Sequence, residues 1–530
     1  MRNSLKIHLL LLVFIFCATA HAQINTATLL GTIKDSSGGV IPGATVTAKN
    51  LGTGATRAVV TGETGDYTLS NLQVGYYVLT VSLPGFKTVT VPDIELQVAQ
   101  QARVDVVLPV GESTEEVTVT GTAPLLSTAT SSVGQVVDTR AVEQMPLNGR
   151  NFWQLVQLTP GASYIPGGQN FREGGSSIRS AVVNVNINGT GRIFNGWSLD
   201  GVNITEFEQG GTLISPNVDA LQEFKVEGAN MSAEYGHTPN MVNATLKSGT
   251  NALHGTLFEF LRNDVLDARN PFFRPAPGSN LKKDTLRRHQ YGFTLGGPIK
   301  RDRAFFFADY EGTRLRQGIV FNNVVPSLAM RNGDFRELST TLRDPLGGMF
   351  TNNQIPADRI SPQARFFLPF MPEPNVVQGA SQRAVFANRL ALDVAKADLK
   401  LDHQLTTKDH LMGRYSIVDN DEQDPNPFPA LGAFPLRSRA QSLALSLVHV
   451  FNSRWLNEAR FGYYRSLFQF GQALAGRNFT KEAGIAGFDE TNIRPSFPLI
   501  NIDGFSQFRG SGFDNRPKSN RIRTWQYVYN

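Results

Sequence analysis

Cysteine is all but absent from this sequence: its 530 residues include one, Cys17, in an apolar segment near the N-terminus. No disulfide framework therefore staples the remainder of the chain. Charge is scarce too. Asp, Glu, Lys and Arg make up 18% of the residues, below the usual quarter, which excludes a charge-driven disordered tail. The net charge of +5 is spread thinly and forms no basic stripe, so the sequence carries no nucleic-acid footprint. Beyond the N-terminus no stretch reaches the ~18 consecutive apolar residues of a membrane-spanning helix, and a place in a membrane would require a closed barrel. The eight histidines (8, 21, 237, 254, 289, 403, 410 and 449) form no H-E-x-x-H or H-x-x-E pair, the spacing that gathers zinc in a peptidase.

What is present begins with Arg2 and Lys6, an apolar run from Leu9 to Phe16, and Ala20-His21-Ala22. A basic start, a short apolar run and a small-residue site together predict a secretory signal peptide over residues 1–22, cleaved between Ala22 and Gln23. Its loss lowers the net charge from +5 by the two charges of Arg2 and Lys6. Phenylalanine is unevenly placed, with 27 of 35 after residue 247; that skew is expected to mark a lipid-facing half of the chain.

Residues 24–110 alternate with period two: Tyr77, Leu79, Val81 and Leu83 share one face, and Ala102, Val104, Val106 and Leu108 another. Gly/Asp turns at short intervals complete the pattern of an antiparallel β-sandwich. Gly31-Thr32-Ile33-Lys34-Asp35, Ile41-Pro42-Gly43-Ala44-Thr45-Val46, Gly65-Asp66-Tyr67-Thr68 and Pro84-Gly85-Phe86 resemble the carboxypeptidase-regulatory-like, or transthyretin-like, sandwich. Without zinc-ligand spacing, this unit is read as a binding or accessory module and the chain as no enzyme.

A linker is expected at 111–121. Within it Glu116, Val117, Thr118, Val119, Thr120 and Gly121 form a short β-former able to add to another protein's sheet edge. The segment resembles the TonB box, through which the periplasmic energy transducer TonB engages outer-membrane receptors; an ordinary interdomain strand is the other reading.

Between 122 and 247 a series of turn-rich motifs follows. It comprises Leu147-Asn148-Gly149-Arg150-Asn151-Phe152, Ser198-Leu199-Asp200-Gly201-Val202, Leu221-Gln222-Glu223-Phe224-Lys225-Val226, Ser232-Ala233-Glu234-Tyr235-Gly236 and Val242-Asn243-Ala244-Thr245-Leu246. In this order they resemble the α+β plug domain of TonB-dependent receptors, especially the Oar-like group. Asp200, Glu206, Glu208, Asp219, Glu223 and His237 are the polar residues that could pass for catalytic groups. Beside Gly and Asn they read first as turn residues, caps or contacts between plug and barrel.

From 248 to 530 long strands alternate. Ala395, Ala397, Leu399 and Leu401 interleave with Lys396, Asp398, Lys400 and Asp402, as in a transmembrane β-barrel with lipid outside and a polar interior. Pro/Gly/Asn-rich stretches at 264–284 and 420–438 are expected to be outer loops. His254-Gly255-Thr256-Leu257-Phe258-Glu259-Phe260 and Phe305-Phe306-Phe307-Ala308-Asp309-Tyr310-Glu311-Gly312 resemble the start of the Oar-like barrel. Plugged transporter barrels have ~22 strands, more than this segment supplies, so the barrel is expected to be partial and the chain a C-terminally truncated fragment.

The expected fold is thus mainly β: a transthyretin-like sandwich, an α+β plug and the first part of a large antiparallel barrel. The resemblance implies a Gram-negative outer-membrane receptor with its N-terminal domain in the periplasm. Its partners would be TonB, outer-membrane lipid and an extracellular oligosaccharide, peptide or chelate, with no nucleic acid, metal or cofactor. The alternative is an Oar-like surface or adhesion protein that transports little.

Overall fold

Alternation of period two becomes strand along most of the chain. The structure, a computed structural model, describes residues 26–111, 116–118, 134–164, 185–206, 211–228, 238–268, 285–378, 381–452, 455–487, 495–509 and 518–529. The Ala22–Gln23 junction lies outside them, as do Val119, Thr120, Gly121, Glu208 and His237.

The first unit contains β1 (Ala27–Asp35), β2 (Thr45–Asn50), β3 (Thr56–Val60), β4 (Asp66–Leu72), β5 (Gly75–Ser82), β6 (Thr88–Leu96), β7 (Gln101–Arg103), β8 (Val106–Leu108) and β9 (Glu116–Thr118). One sheet has the order β4-β1-β7, with β8 also on β1, and the other β3-β2-β5-β6-β9. Leu29, Ile33, Val46, Leu79, Val81 and Leu108 are buried between the sheets. The expected all-antiparallel sandwich is in fact mixed. β7 and β8 run parallel to β1, and β9 parallel to β6, because these strands return by crossovers rather than hairpins. The expected linker is also partly strand: Glu116, Val117 and Thr118 pair with Thr88, Val89 and Thr90. Its Val/Thr alternation has found an open sheet edge within the same chain.

The second unit contains β10 (Gly134–Val137), β11 (Ala162–Tyr164), β12 (Val185–Ile187), β13 (Asn195–Leu199), β14 (Val202–Asn203), β15 (Leu221–Gly228) and β16 (Asn240–Leu246). Its main sheet has the order β10-β15-β16-β13-β14, with β13 parallel to β16. The helix Thr139–Gln144 packs beside it, its first turn capped by Asp138, whose side chain accepts from the Ala141 N–H. All seven residues of β16 are buried, so neither face of this central strand is solvated.

The third unit is one antiparallel sheet of nine strands. They are β17 (His254–Asn263), β18 (Leu286–Lys300), β19 (Ala304–Val324), β20 (Val376–Gln378), β21 (Ser381–Gln404), β22 (Asp409–Asp424), β23 (Phe434–Val450), β24 (Leu456–Phe470) and β25 (Lys518–Tyr529). Connections at 301–303 and 405–408, and the described residues between β23 and β24, share one end; those at 325–375 and 425–433, with the described residues between β24 and β25, lie at the other. In outer-membrane barrels the short turns are periplasmic and the longer loops extracellular. The loop expected at 420–438 is shorter, because β22 continues to Asp424 and β23 starts at Phe434. The strands rise beyond the apolar band, where outward charges are solvated, so polarity there does not mark a strand end.

Ladder register sorts the outward residues into rows. Beginning near the short turns, Phe306, Leu401, Gly413, Leu445, Phe461 and Tyr527 are successive neighbours across β19, β21, β22, β23, β24 and β25. Ala308, Leu399, Tyr415, Leu443, Tyr463 and Trp525 form the next outward row. The alternate residues, Lys396, Asp398, Lys400, Asp402 and Arg414 among them, are buried on the inner face. Apolar outside and charged inside is the inverse of a soluble sandwich, and it is the pattern expected at a lipid boundary.

The phenylalanine surplus divides more evenly than expected. Phe306 and Phe461 face outward, but Phe367, Phe428, Phe479, Phe497 and Phe508 in the long connections are buried. Their rings meet edge to face, with centroids 5.5 Å apart for Phe367–Phe497, 5.0 Å for Phe479–Phe497 and 4.5 Å for both Phe497–Phe508 and Phe428–Phe508. They belong to one cluster with Phe152, Trp197 and Phe224 of the plug. Long connections beyond the lipid need a hydrophobic core of their own, and phenylalanine supplies it.

Candidate functional site: the contacts of the plug

The Leu199-Asp200-Gly201-Val202 run makes the turn between β13 and β14, with φ of 46° at Asp200 and 75° at Gly201. A two-residue hairpin with positive φ at both positions favours Asp-Gly, which accounts for this pair. The turn carries the Asp200 carboxylate, fully buried, into the barrel wall. There it meets Lys400 Nζ at 2.9 Å and Arg414 Nε at 3.2 Å. Lys400 also donates to Leu246 O at 2.9 Å, and Arg414 to Leu199 O at 3.1 Å and Ser442 Oγ at 3.0 Å. Arg460 donates to Gly201 O at 3.1 Å. The Gln526 amide closes a two-way pair with the Asn203 backbone, accepting from N–H at 2.9 Å and donating to C=O at 2.8 Å. Four wall strands thus hold one hairpin tip.

A second group lies on the other flank. Arg150 reaches Asp219 at 2.5 Å and Glu311 at 3.5 Å, and Lys396 reaches Glu311 at 3.2 Å. The Arg150 guanidinium lies over the rings of Phe258 and Phe260, 4.4 and 4.8 Å from their centroids. Arg288 and Gln290 donate to Gly149 O at 3.0 and 3.3 Å. These ion pairs are largely dehydrated; such pairs add little over apolar packing, but losing one partner is costly.

The third group joins the sandwich to both other units, at the short-turn end. Val98 N–H donates to Glu223 Oε1, and Lys225 Nζ donates to Ala99 O at 3.1 Å. Gln73 Nε2 lies 3.1 Å from Asp402 Oδ1 and 3.0 Å from His410 Nε2, and Asn251 N–H donates to Gly52 O at 2.9 Å. A cavity of about 320 Å³ remains between the units, lined by Arg57, Gln73, Lys400, Asp402, His410 and Glu458.

Burial pushes the Glu223 carboxyl up to about 8, reinforced by the charges of Glu95 and Asp138 and opposed by the Val98 N–H. A carboxyl raised in the folded state stabilises docking fully below its ordinary value near 4.5, and that contribution is lost as pH rises through about 8. Sandwich–plug docking should therefore loosen between those limits. Glu223→Gln, whose amide oxygen still accepts from Val98, should remove the dependence. Limited proteolysis of the whole protein in detergent at about pH 5 and about pH 9 checks this. Equal pH sensitivity in wild type and variant would count against it.

Of the polar residues picked out in the sequence, Asp200, Asp219 and Glu223 are brought to these three contact groups, and Glu206 is buried with its backbone bridged to Gly211. None joins a catalytic arrangement with another. No local sequence pattern marks the wall partners Lys400, Arg414, Arg460 and Gln526 as contacts, although the inward phase of Lys400 is visible in its strand's alternation. Among the described residues no group of three His, Cys, Asp or Glu is placed to hold a metal, and no helix is long and apolar enough to cross a membrane.

A sheet with apolar outward rows, wrapped around a plug held by buried charges, defines an outer-membrane barrel protein. The outer membrane beta barrel domain family matches residues 245–530, and the chain belongs to it. The carboxypeptidase regulatory-like domain matches residues 28–109. The chain is therefore a protein of the Gram-negative outer membrane. It is similar to the TonB-dependent transporter Oar of Myxococcus xanthus, 26% identical over 307 residues, covering 56% of this chain and 27% of that protein. The chain thus spans about a quarter of that curated relative. Among solved structures it is similar to the outer membrane transporter YddB from Escherichia coli (11% identity, 65% of this chain and 40% of that one, TM-score 0.42). It is also similar to the ferric enterobactin receptor PfeA from Pseudomonas aeruginosa (13%, 63% and 41%, TM-score 0.38).

Proposed function

We propose that this chain works as a TonB-coupled receptor that takes up an extracellular ligand, an oligosaccharide, a peptide or a chelate. The observation that carries the reading is the position of the candidate box, Glu116 to Gly121. Its first three residues form β9 at the short-turn, periplasmic side, in the same stretch of chain that leads into β10, the first strand of the plug. A pull there is transmitted to the plug sheet through β10, and the buried charges around Asp200 and Arg150 are what a rearranging plug must break. The similarity to a TonB-dependent transporter supports the same reading.

β9 already occupies the edge of β6, so TonB engages it after its release from that edge. Val89 and Val117 are ladder partners and both pack toward the sandwich core, a spacing within reach of a disulfide. In a Val89→Cys/Val117→Cys protein, oxidation should abolish TonB cross-linking to residues 116–121 and reductant should restore it. Cross-linking that is absent from the wild-type chain as well would favour the adhesion reading instead.

A further inference from the structure

β3 is an edge strand of the sandwich, and edge strands commonly carry a charge that discourages pairing with other chains. Arg57 is the one charged residue of Thr56-Arg57-Ala58-Val59-Val60. It does not stand in open solvent, however. It is half-buried against the cavity of about 320 Å³ left between sandwich, plug and wall at the short-turn end. Burial lowers its guanidinium from the ordinary arginine value.

The other charges that line this cavity are already matched. Asp402 accepts from Ser248 Oγ at 2.5 Å and from Gln73 Nε2 at 3.1 Å, and lies 3.5 Å from His410 Nε2. Glu458 accepts from Ser446 Oγ at 2.9 Å and pairs with Arg460. Lys400 is committed to Asp200 and to Leu246 O. Arg57 has neither a hydrogen bond nor a carboxylate partner among the described residues. Asn71 lines the same cavity from the end of β4, with φ of 58°, and its amide nitrogen is buried with no acceptor. A buried donor left without an acceptor is costly, and the cavity lies within the size range of small-molecule sites.

We propose that this cavity binds a small molecule through a carboxylate group, gripped by the Arg57 guanidinium with the Asn71 amide as a second donor. A flat carboxylate matches the guanidinium fork and brings a single negative charge. Asp402 and Glu458 line the same space and repel a doubly charged phosphate. Val74, Met412 and Val448 supply an apolar part of the lining, which suits a short aliphatic tail. A free organic acid and the C-terminus of a short peptide both present this group. Arg57 belongs to the sandwich and Met412 and Val448 to the wall, so the occupant bridges the two units and binds only while the sandwich is docked.

The test titrates the whole protein in detergent with butyrate, butyramide, N-acetyl-dialanine, N-acetyl-dialanine amide and inorganic phosphate, followed by calorimetry. At least one of the two acids should bind about tenfold more tightly than its own amide, and the tighter acid tells a free organic acid from a peptide terminus. Arg57→Gln should lose a similar factor. Arg57→Lys keeps the charge without the fork and should lose less; Asn71→Leu should lose about threefold. These two variants report on the same site if Arg57→Gln folds poorly. Acids that bind no better than their amides overturn the proposal. So does phosphate that binds more tightly than either acid, or acid binding that all three variants leave unchanged.

Discussion

Replacing Asp200 with alanine should destabilise the seated plug by about 3–5 kcal/mol, the usual cost of leaving buried charges without their partner. Asp200 is fully buried and is the shared counter-ion of Lys400 and Arg414. Both cations are nearly without solvent access, so neither can turn to water when the carboxylate is gone. Asp200→Asn should be milder. Asparagine tolerates positive φ and keeps a hydrogen-bond acceptor, though not the charge. Adding Lys400→Met to Asp200→Ala should recover part of the loss, because an apolar side chain in place of an orphaned ammonium is often neutral or favourable. Unfolding of the detergent-solubilised protein, followed by protease access to residues 134–246, measures all three. A loss below about 1 kcal/mol for Asp200→Ala would show that water or a rearranged neighbour takes over the role.

The second large effect is expected far from any charge. Phe497 is fully buried among Phe367, Phe370, Phe479 and Phe508. Its truncation to alanine should cost about 3–5 kcal/mol, combining lost burial with an unfilled cavity. Because the cluster lies in the long connections, the loss should be local. Protease sites in 325–375 and 471–487 should open, while the heat-resistant mobility of the barrel stays unchanged. Cleavage unchanged from wild type would mean that the rings repack and the cluster carries little of the order in these loops.

The strands were legible because both lipid and plug impose period two, and residues such as Leu399, Lys400 and Leu401 obey it without exception. The Leu199-Asp200-Gly201 turn was legible for a different reason: few residue pairs accept positive φ twice. What could not be read was which partners meet across the chain. Asp200 and Lys400 are 200 residues apart, and no local pattern records which inward lysine faces which turn. The parallel pairing of β9 with β6 was hidden for the same reason, since an alternating Val/Thr segment announces a strand and not its neighbour. The phenylalanines misled through composition alone. A count does not separate a ring facing lipid from one packed in a loop core, whereas the in-register rows on β19 to β25 do.

The lengths of three ladders have a mechanical consequence. β9 is joined to its neighbour by three residue pairs, β10 by four and β15 to β16 by seven. A steady load drawn through this part of the chain meets resistances graded in that order, with the buried ion pairs behind the last. The first behaves as a fuse that yields at small force and pays out chain. The second detaches an edge strand while the rest of its sheet is still braced. Modest tension could thus expose the chain ahead of the plug, and only sustained tension would reach the plug's charged anchors.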